Sequence, residues 1–248
     1  MVAVTSYLCA MKLDILAIGI HPDDVELSCA GTLLRHIAAG YTVGILDLTE
    51  GELGTRGTPE LRREEAMKSA SILGISEREI MRLKDVFFTG SQSEILEVVK
   101  RIRKYQPEIV LCNAITDRHP DHGRASKLIS EACFYSGLRK ISTQLEGTEQ
   151  KVWRPKAVYH YIQDRQLTPD FVVDVTPYVD KKIEAIQAFS SQFFDPTSQE
   201  PITPISSPHF LESLKAKMRV FGRDIQVEFA EGFTVERKMG VDDLMKLK

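Results

Sequence analysis

An α/β fold, a Rossmann-like and mostly parallel sheet with helices on both faces in a single domain, is predicted by three features of the chain. Short, nearly continuous apolar runs at 13–20 (LDILAIGI), 42–48 (TVGILDL) and 108–112 (EIVLC) have the signature of strands covered on both faces. Stretches with apolar residues at helical spacing alternate with them, which is the pattern of parallel βαβ units. Polar loops follow the three runs, and in an open parallel sheet such loops share one ligand-binding rim.

Each element has its own local warrant. After the first run, residues 25–39 carry a helical pattern, and Gly40 stands where a helix C-cap belongs. The second run leads into the loop 51–57 (GELGTRG) and then a helix over 59–73, with Thr58 as N-cap and Pro59 at its first position. Residues 79–83 form a short strand candidate, and 91–105 an amphipathic helix stopped by Pro107. A helix is expected at 125–135, an exposed loop at 142–151, strands at 157–162 and 171–175, and a helix at 177–189. Pro196, Pro201, Pro204 and Pro208 make 195–208 an irregular loop, and a helix at 208–221 and a final stretch at 227–235 close the chain.

Composition narrows the function classes. The 248 residues are 43% hydrophobic and 27% charged with a net charge of −3, which suits a soluble globular domain and gives no basic tract for nucleic acid. No apolar run reaches membrane-spanning length. Residues 1–11 lack the basic start of a signal peptide and are expected to be a disordered extension, or an upstream start before Met11, so the domain is taken as 12–248. Cys9, Cys29, Cys112 and Cys133 form no CxxC pair and read as reduced thiols of a cytoplasmic protein, Cys112 within a strand.

The chemistry gathers in two clusters, His21-Pro22-Asp23-Asp24 after the first strand and Arg118-His119-Pro120-Asp121-His122 after the strand at 108–112. Each alone has an ordinary explanation. Asp23 with Glu26 resembles a capping box, and the second cluster a proline turn. If the two strands are neighbours at the switch point of the sheet, His21, Asp24, His119 and His122 converge. Two histidines and a carboxylate suit a catalytic zinc site with water in the open position. The same set fits a 2-His-1-carboxylate iron(II) oxygenase, a different class of function. The second carboxylate beside the ligand carboxylate favours hydrolysis, which needs a group to take a proton from water and return it to a leaving amine.

These residues, with GELGTRG followed by LRREEA, ACFYSGLRKI, WRPKAVYHYIQDR, SSQFFDP and EFAEGFT, resemble the LmbE-like (PIG-L) N-acetylglucosamine deacetylases over nearly everything after Met11. The likeness is strongest to the branch that deacetylates N-acetylglucosaminyl-malate in bacillithiol biosynthesis. The resemblance implies His21, Asp24 and His122 as ligands of a metal, usually zinc, with Asp23 as general base. It implies that His119 stabilises the tetrahedral intermediate or protonates the amine, that Asp121 orients His119, and that Arg56 binds substrate. It also implies a small amino-sugar substrate and a homo-oligomeric assembly. Arg118 is a second candidate for an anionic aglycone, since arginine forks match carboxylates, although a surface ion pair explains it equally well.

Other residues are set aside. His36 reads as a surface residue, His160 as a core or rim residue and His209 as an exposed helix start. Gly51, Gly54 and Gly57 are spaced GxxGxxG, which disfavours a dinucleotide site. Glu64-Glu65 reads as a solvated helix face, while Glu50 and Glu52 lie within reach of a substrate.

Overall fold

The computed structural model describes residues 12–247. The expectation for the first eleven residues lies outside them. Strand β1 (Ile15–Gly19) leads into α1 (Asp24–Ala38), followed by β2 (Val43–Asp47), α2 (Pro59–Leu73), β3 (Glu77–Ile80), α3 (Gln92–Tyr105), β4 (Ile109–Cys112) and α4 (Pro120–Tyr135). A small hairpin of β5 (Gln144–Leu145) and β6 (Thr148–Glu149) precedes β7 (Ala157–Tyr161), β8 (Phe171–Asp174), α5 (Val179–Gln187), α6 (Phe210–Asp224) and β9 (Ala230–Val235).

Seven of these strands form one sheet in the order β3-β2-β1-β4-β7-β9-β8. Neighbours from β3 to β7 pair in parallel, and β9 runs antiparallel to both β7 and β8. The predicted α/β class is therefore correct, with one strand reversed. The apolar runs explain the layering, because alternate residues of a strand face opposite sides. Leu16 and Ile18 join Val98, Ile102 and Ile129 of α3 and α4, whereas Ile15 and Ala17 join Val25, Ala30 and Leu33 of α1.

Local signals place the helix ends. Thr58 accepts the Leu61 N–H at 3.3 Å before Pro59, and Gly74 closes α2 at φ 76°. Ser91 and Glu94 form a reciprocal capping box at the start of α3. The structure departs from expectation at several places. Helix α4 begins at Pro120, five residues early, because the HPDH cluster is itself the first helical turn. Strand β3 begins at Glu77 rather than 79. The exposed loop at 142–151 carries the hairpin, turned by Glu146 and Gly147 at positive φ. A 3₁₀ turn over Thr176–Tyr178 precedes α5.

The C-terminal strand braces α1 through a buried ion pair. Glu231 accepts the N–H groups of Gly31 at 2.9 Å and Thr32 at 2.7 Å, and Lys182 donates to Glu231 at 2.6 Å and to the Leu27 carbonyl at 2.9 Å. The ion pair thus engages the backbone of α1 in the middle of the helix. Removing one partner strands the other charge in the core, so Lys182→Met is expected to lose about 3–5 kcal/mol of stability. Urea denaturation checks this, and an unchanged midpoint would refute it.

Candidate active site and metal centre

The rim at the carboxyl ends of the strands carries the site. Ile18 of β1 lies beside Cys112 of β4, and Cys112 beside His160 of β7, so the three strands end level. The segments that follow them meet over one cavity of about 520 Å³, lined by His21, Asp23, Asp24, His119 and His122 with walls from 53–56 and 203–217. Asp23 and Asp24 are 5% and 2% exposed.

His21, Asp24 and His122 each bring a ligand atom to within 4.8 Å of the others, a donor set of two imidazoles and one carboxylate. His122 Nε2 is 3.3 Å from Asp24 Oδ1, and its Nδ1 is held by Asp117 Oδ2 at 2.6 Å. A carboxylate behind a ligating imidazole fixes its tautomer and raises its basicity. Asp117 also accepts from the backbone of Asp164 and Arg165, which ties the loop after β7 to the site. His21 Nε2 lies 3.0 Å from Asp85 Oδ1 and 3.6 Å from Asp121 Oδ2. Asp24 is gripped by neutral donors: Oδ2 accepts from the backbone N–H of Ile20 at 3.1 Å and of His21 at 3.0 Å and from Asn113 Nδ2 at 2.9 Å, and Oδ1 from Gln163 Nε2 at 2.5 Å.

The electrostatics describe a place built for added positive charge. Burial opposes charge on Asp24, yet His122 and His21 hold its carboxyl well below the usual range. Burial also opposes charge on His122, but Asp24 and Asp117 lift it to about 9. Asp117 is drawn down to about 2 against the cost of burial, chiefly by its hydrogen bond from His122. Asp24, Asp85, Asp117 and Asp121 set their carboxylates against the imidazoles of His21 and His122, negative charge that a divalent cation would share. The donor set and its supporting carboxylates fit zinc, and iron(II) suits the same ligands.

Asp23 behaves differently from its neighbour. Burial pushes its carboxyl up to about 7, with Arg62 pulling the other way. The capping box of the ordinary reading is absent: Asp23 sits at φ 117° with no side-chain cap bond, and Glu26 turns into the core to meet Ser69 and Arg78. Asp23 lines the cavity instead.

The remaining candidates are placed as follows. His119 Nδ1 accepts the Asp121 N–H at 3.3 Å, so a neutral His119 carries its proton on Nε2 as a donor. Burial and then His21 lower its basicity, so the neutral form is the one favoured. Asp121, expected to orient His119, has its carboxylate Oδ1 3.9 Å from His119 Nδ1, and it also meets Arg124, the Val86 N–H at 3.0 Å and His21. Arg56 is 4% exposed and lines the cavity, yet its terminal nitrogens donate to the Phe193 carbonyl at 3.3 Å and Ser198 Oγ at 2.6 Å. It therefore also pins the proline-rich loop. Arg118 is exposed and paired with Asp164 at 2.6 Å, the surface ion pair of the ordinary reading, although it too lines the cavity. Glu50 pairs with Arg63 and Arg82, and Glu52 accepts the Asp85 N–H at 2.8 Å, so both organise loops. Glu65 is not solvated: it is 5% exposed and receives Ser190 and Ser191.

Asp85, Asp117, Asn113, Gln163 and Arg62 were not singled out from sequence. Asn113 and Gln163 each stand just past a strand end, and the rim rule applied to every strand would have found them.

Comparison with known proteins agrees with this geometry. The PIG-L profile, GlcNAc-PI de-N-acetylase, matches residues 16–133. A diacetylchitobiose deacetylase of Thermococcus kodakarensis is 30% identical over 191 residues, covering 72% of this chain and 70% of the relative. A 4-oxalmesaconate hydratase of Pseudomonas putida is 29% identical over 196 residues, 71% of this chain and 73% of the relative. A probable N-acetyl-alpha-D-glucosaminyl L-malate deacetylase 2 of Bacillus anthracis is 27% identical over 190 residues, 70% of this chain and 78% of the relative. The crystal structure of the conserved protein TT1542 from Thermus thermophilus superposes with a TM-score of 0.81 at 34% identity, covering 93% of this chain and 98% of that one. The chain belongs to the PIG-L (LmbE-like) family of de-N-acetylases.

Two substitutions probe the metal centre. His122→Ala is expected to abolish stoichiometric metal binding. Asp117→Asn is expected to weaken metal affinity by roughly 10–100-fold while the fold is retained. Metal titration against a competing chelator reads both, and wild-type affinity in either would contradict the assignment.

Proposed function

We propose that this protein is a metal-dependent amide hydrolase that removes acetate from N-acetyl-α-D-glucosaminyl L-malate, with Zn²⁺ held by His21, Asp24 and His122. The observation that carries the reading is the pairing of two adjacent carboxylates with opposite character. Asp24 is drawn into the two-histidine donor set, and Asp23 faces the cavity with its carboxyl pushed up to about 7. A general base works best when its pKa lies near the operating pH.

When bound, the metal supplies Lewis acidity, polarising the acetamide carbonyl and making water a nucleophile at neutral pH. Asp23 takes the proton of the attacking water and returns it to the departing amine. His119, with Nδ1 engaged by the backbone, offers Nε2–H to the oxygen on which charge develops. Arg118 and Arg56 line the same cavity as candidates for the malate carboxylates. The malate relative supports that aglycone, and the chitobiose relative supports the amino sugar. The buried thiols of Cys29, Cys112 and Cys133, unpaired among the described residues, accord with a cytoplasmic location.

A second reading is a hydratase acting on an unsaturated dicarboxylate, favoured by the similarity to the Pseudomonas enzyme. It uses the same cation and base to add water to a double bond.

Acetate release from N-acetylglucosaminyl-malate, measured with and without chelator, separates these readings. The expected result is chelator-sensitive acetate release that proceeds without oxygen. Water addition to an unsaturated dicarboxylate without acetate release would favour the hydratase, and dependence on oxygen an iron oxygenase. Faster turnover of an inositol or chitobiose glycoside would move the aglycone assignment. Asp23→Ala is expected to keep its metal and lose about 10²–10⁴-fold in kcat. Wild-type turnover in that variant would remove Asp23 from the base role.

A further inference from the structure

Two features have no part in the chemistry above: Gly51 and Gly54 of the loop after β2, and the backbone of Asp23. One side chain accounts for both. Asp23 at φ 117° occupies a region that residues with a Cβ rarely adopt, and such strain persists only where the surroundings over-determine it. Arg62, on the first turns of α2 and 4% exposed, supplies those surroundings. Its Nη2 donates to the Pro22 carbonyl at 2.7 Å and to Asp23 Oδ2 at 3.3 Å, and its Nη1 to the Gly51 carbonyl at 3.3 Å. One planar group thus holds the peptide before Asp23, the Asp23 carboxylate and the loop after β2. The glycines make room for it. A Cβ on Gly51 would lie 2.1 Å from Nη1, and one on Gly54 3.1 Å.

We propose that Arg62 is the positioning residue of the general base, its guanidinium locking Asp23 in the left-handed conformation that turns the carboxylate to the cavity. The proposal rests on the reading of Asp23 as the base. An ammonium cannot replace the guanidinium, because three acceptors are met by one rigid fork. In this account Gly51 and Gly54 leave clearance for an arginine, Gly51 being favoured also by its own φ of 65°.

The test uses Arg62→Ala and Arg62→Lys in the full chain, each alone and combined with Asp23→Asn, with metal affinity and thermal midpoint measured beside kinetics. Arg62→Ala is expected to lower kcat about 10²-fold, the scale of a misplaced catalytic group. KM and metal affinity should stay within about threefold, since the interaction acts on the base and leaves substrate and metal binding alone. Added guanidinium ion should restore part of the rate to Arg62→Ala, and Arg62→Lys should remain well below wild type. In the Asp23→Asn background, removing Arg62 should cost nothing further. If Arg62→Ala does not fold, Arg62→Lys carries the test, because it keeps the charge and loses the fork, and the same loss confined to kcat is expected. Wild-type kcat in folded Arg62→Ala, or an equal further loss on top of Asp23→Asn, overturns the proposal alone. Full turnover by Asp23→Asn itself overturns the base assignment and the proposal with it.

Discussion

The site exists because β1 and β4 lie side by side in parallel register and end at the same level. Ile18 against Cys112 puts the residues after each strand on one rim, and a hundred residues of separation in sequence become adjacent imidazoles. Asn113, the first residue past β4, crosses this junction: its Oδ1 accepts the Ile20 N–H at 3.0 Å and its Nδ2 reaches Asp24. The sheet therefore does more than carry two loops. It sets the distance between the carboxylate of one and the histidine of the other, and burial on both faces makes that distance hard to change.

Around this junction the protein holds a concentration of carboxylates that would repel one another without cations. It meets the problem in two ways. Neutral amide and backbone donors grip Asp24, which leaves its charge available. Arginine is directed to the groups meant to stay fixed, Arg124 to Asp121 and Arg62 to Asp23. The two adjacent aspartates differ less in burial than in partners, and their opposite tendencies to hold a proton follow from that difference.

Most of the fold was legible because the buried strands are short apolar runs and α2 opens on a recognisable cap, Thr58 before Pro59. The start of α4 was hidden because its first turn is the functional cluster, whose polarity breaks the apolar period. The two-histidine, one-carboxylate cluster was legible as residue types. The rest of the site was not, because Asp85, Asp117, Gln163 and Arg62 act through contacts between segments distant in sequence. An aspartate at position 117 or an arginine in LRREEA has no local mark of its partner. Glu65 shows the same limit from the other side, since a pair of glutamates on a helix gives no sign that one is enclosed by Ser190 and Ser191.

The last of the described strands occupies an interior place in the sheet. β9 lies between β7 and β8, and β8 joins the sheet only through it. Its Glu231 also accepts two backbone N–H groups in the middle of α1, the helix that begins at Asp24 of HPDD, across separations of 200 and 199 residues in sequence. Until β9 is in place, β8 has no neighbour in the sheet and α1 lacks this brace, so the motif near one end of the described chain leans on a strand near the other.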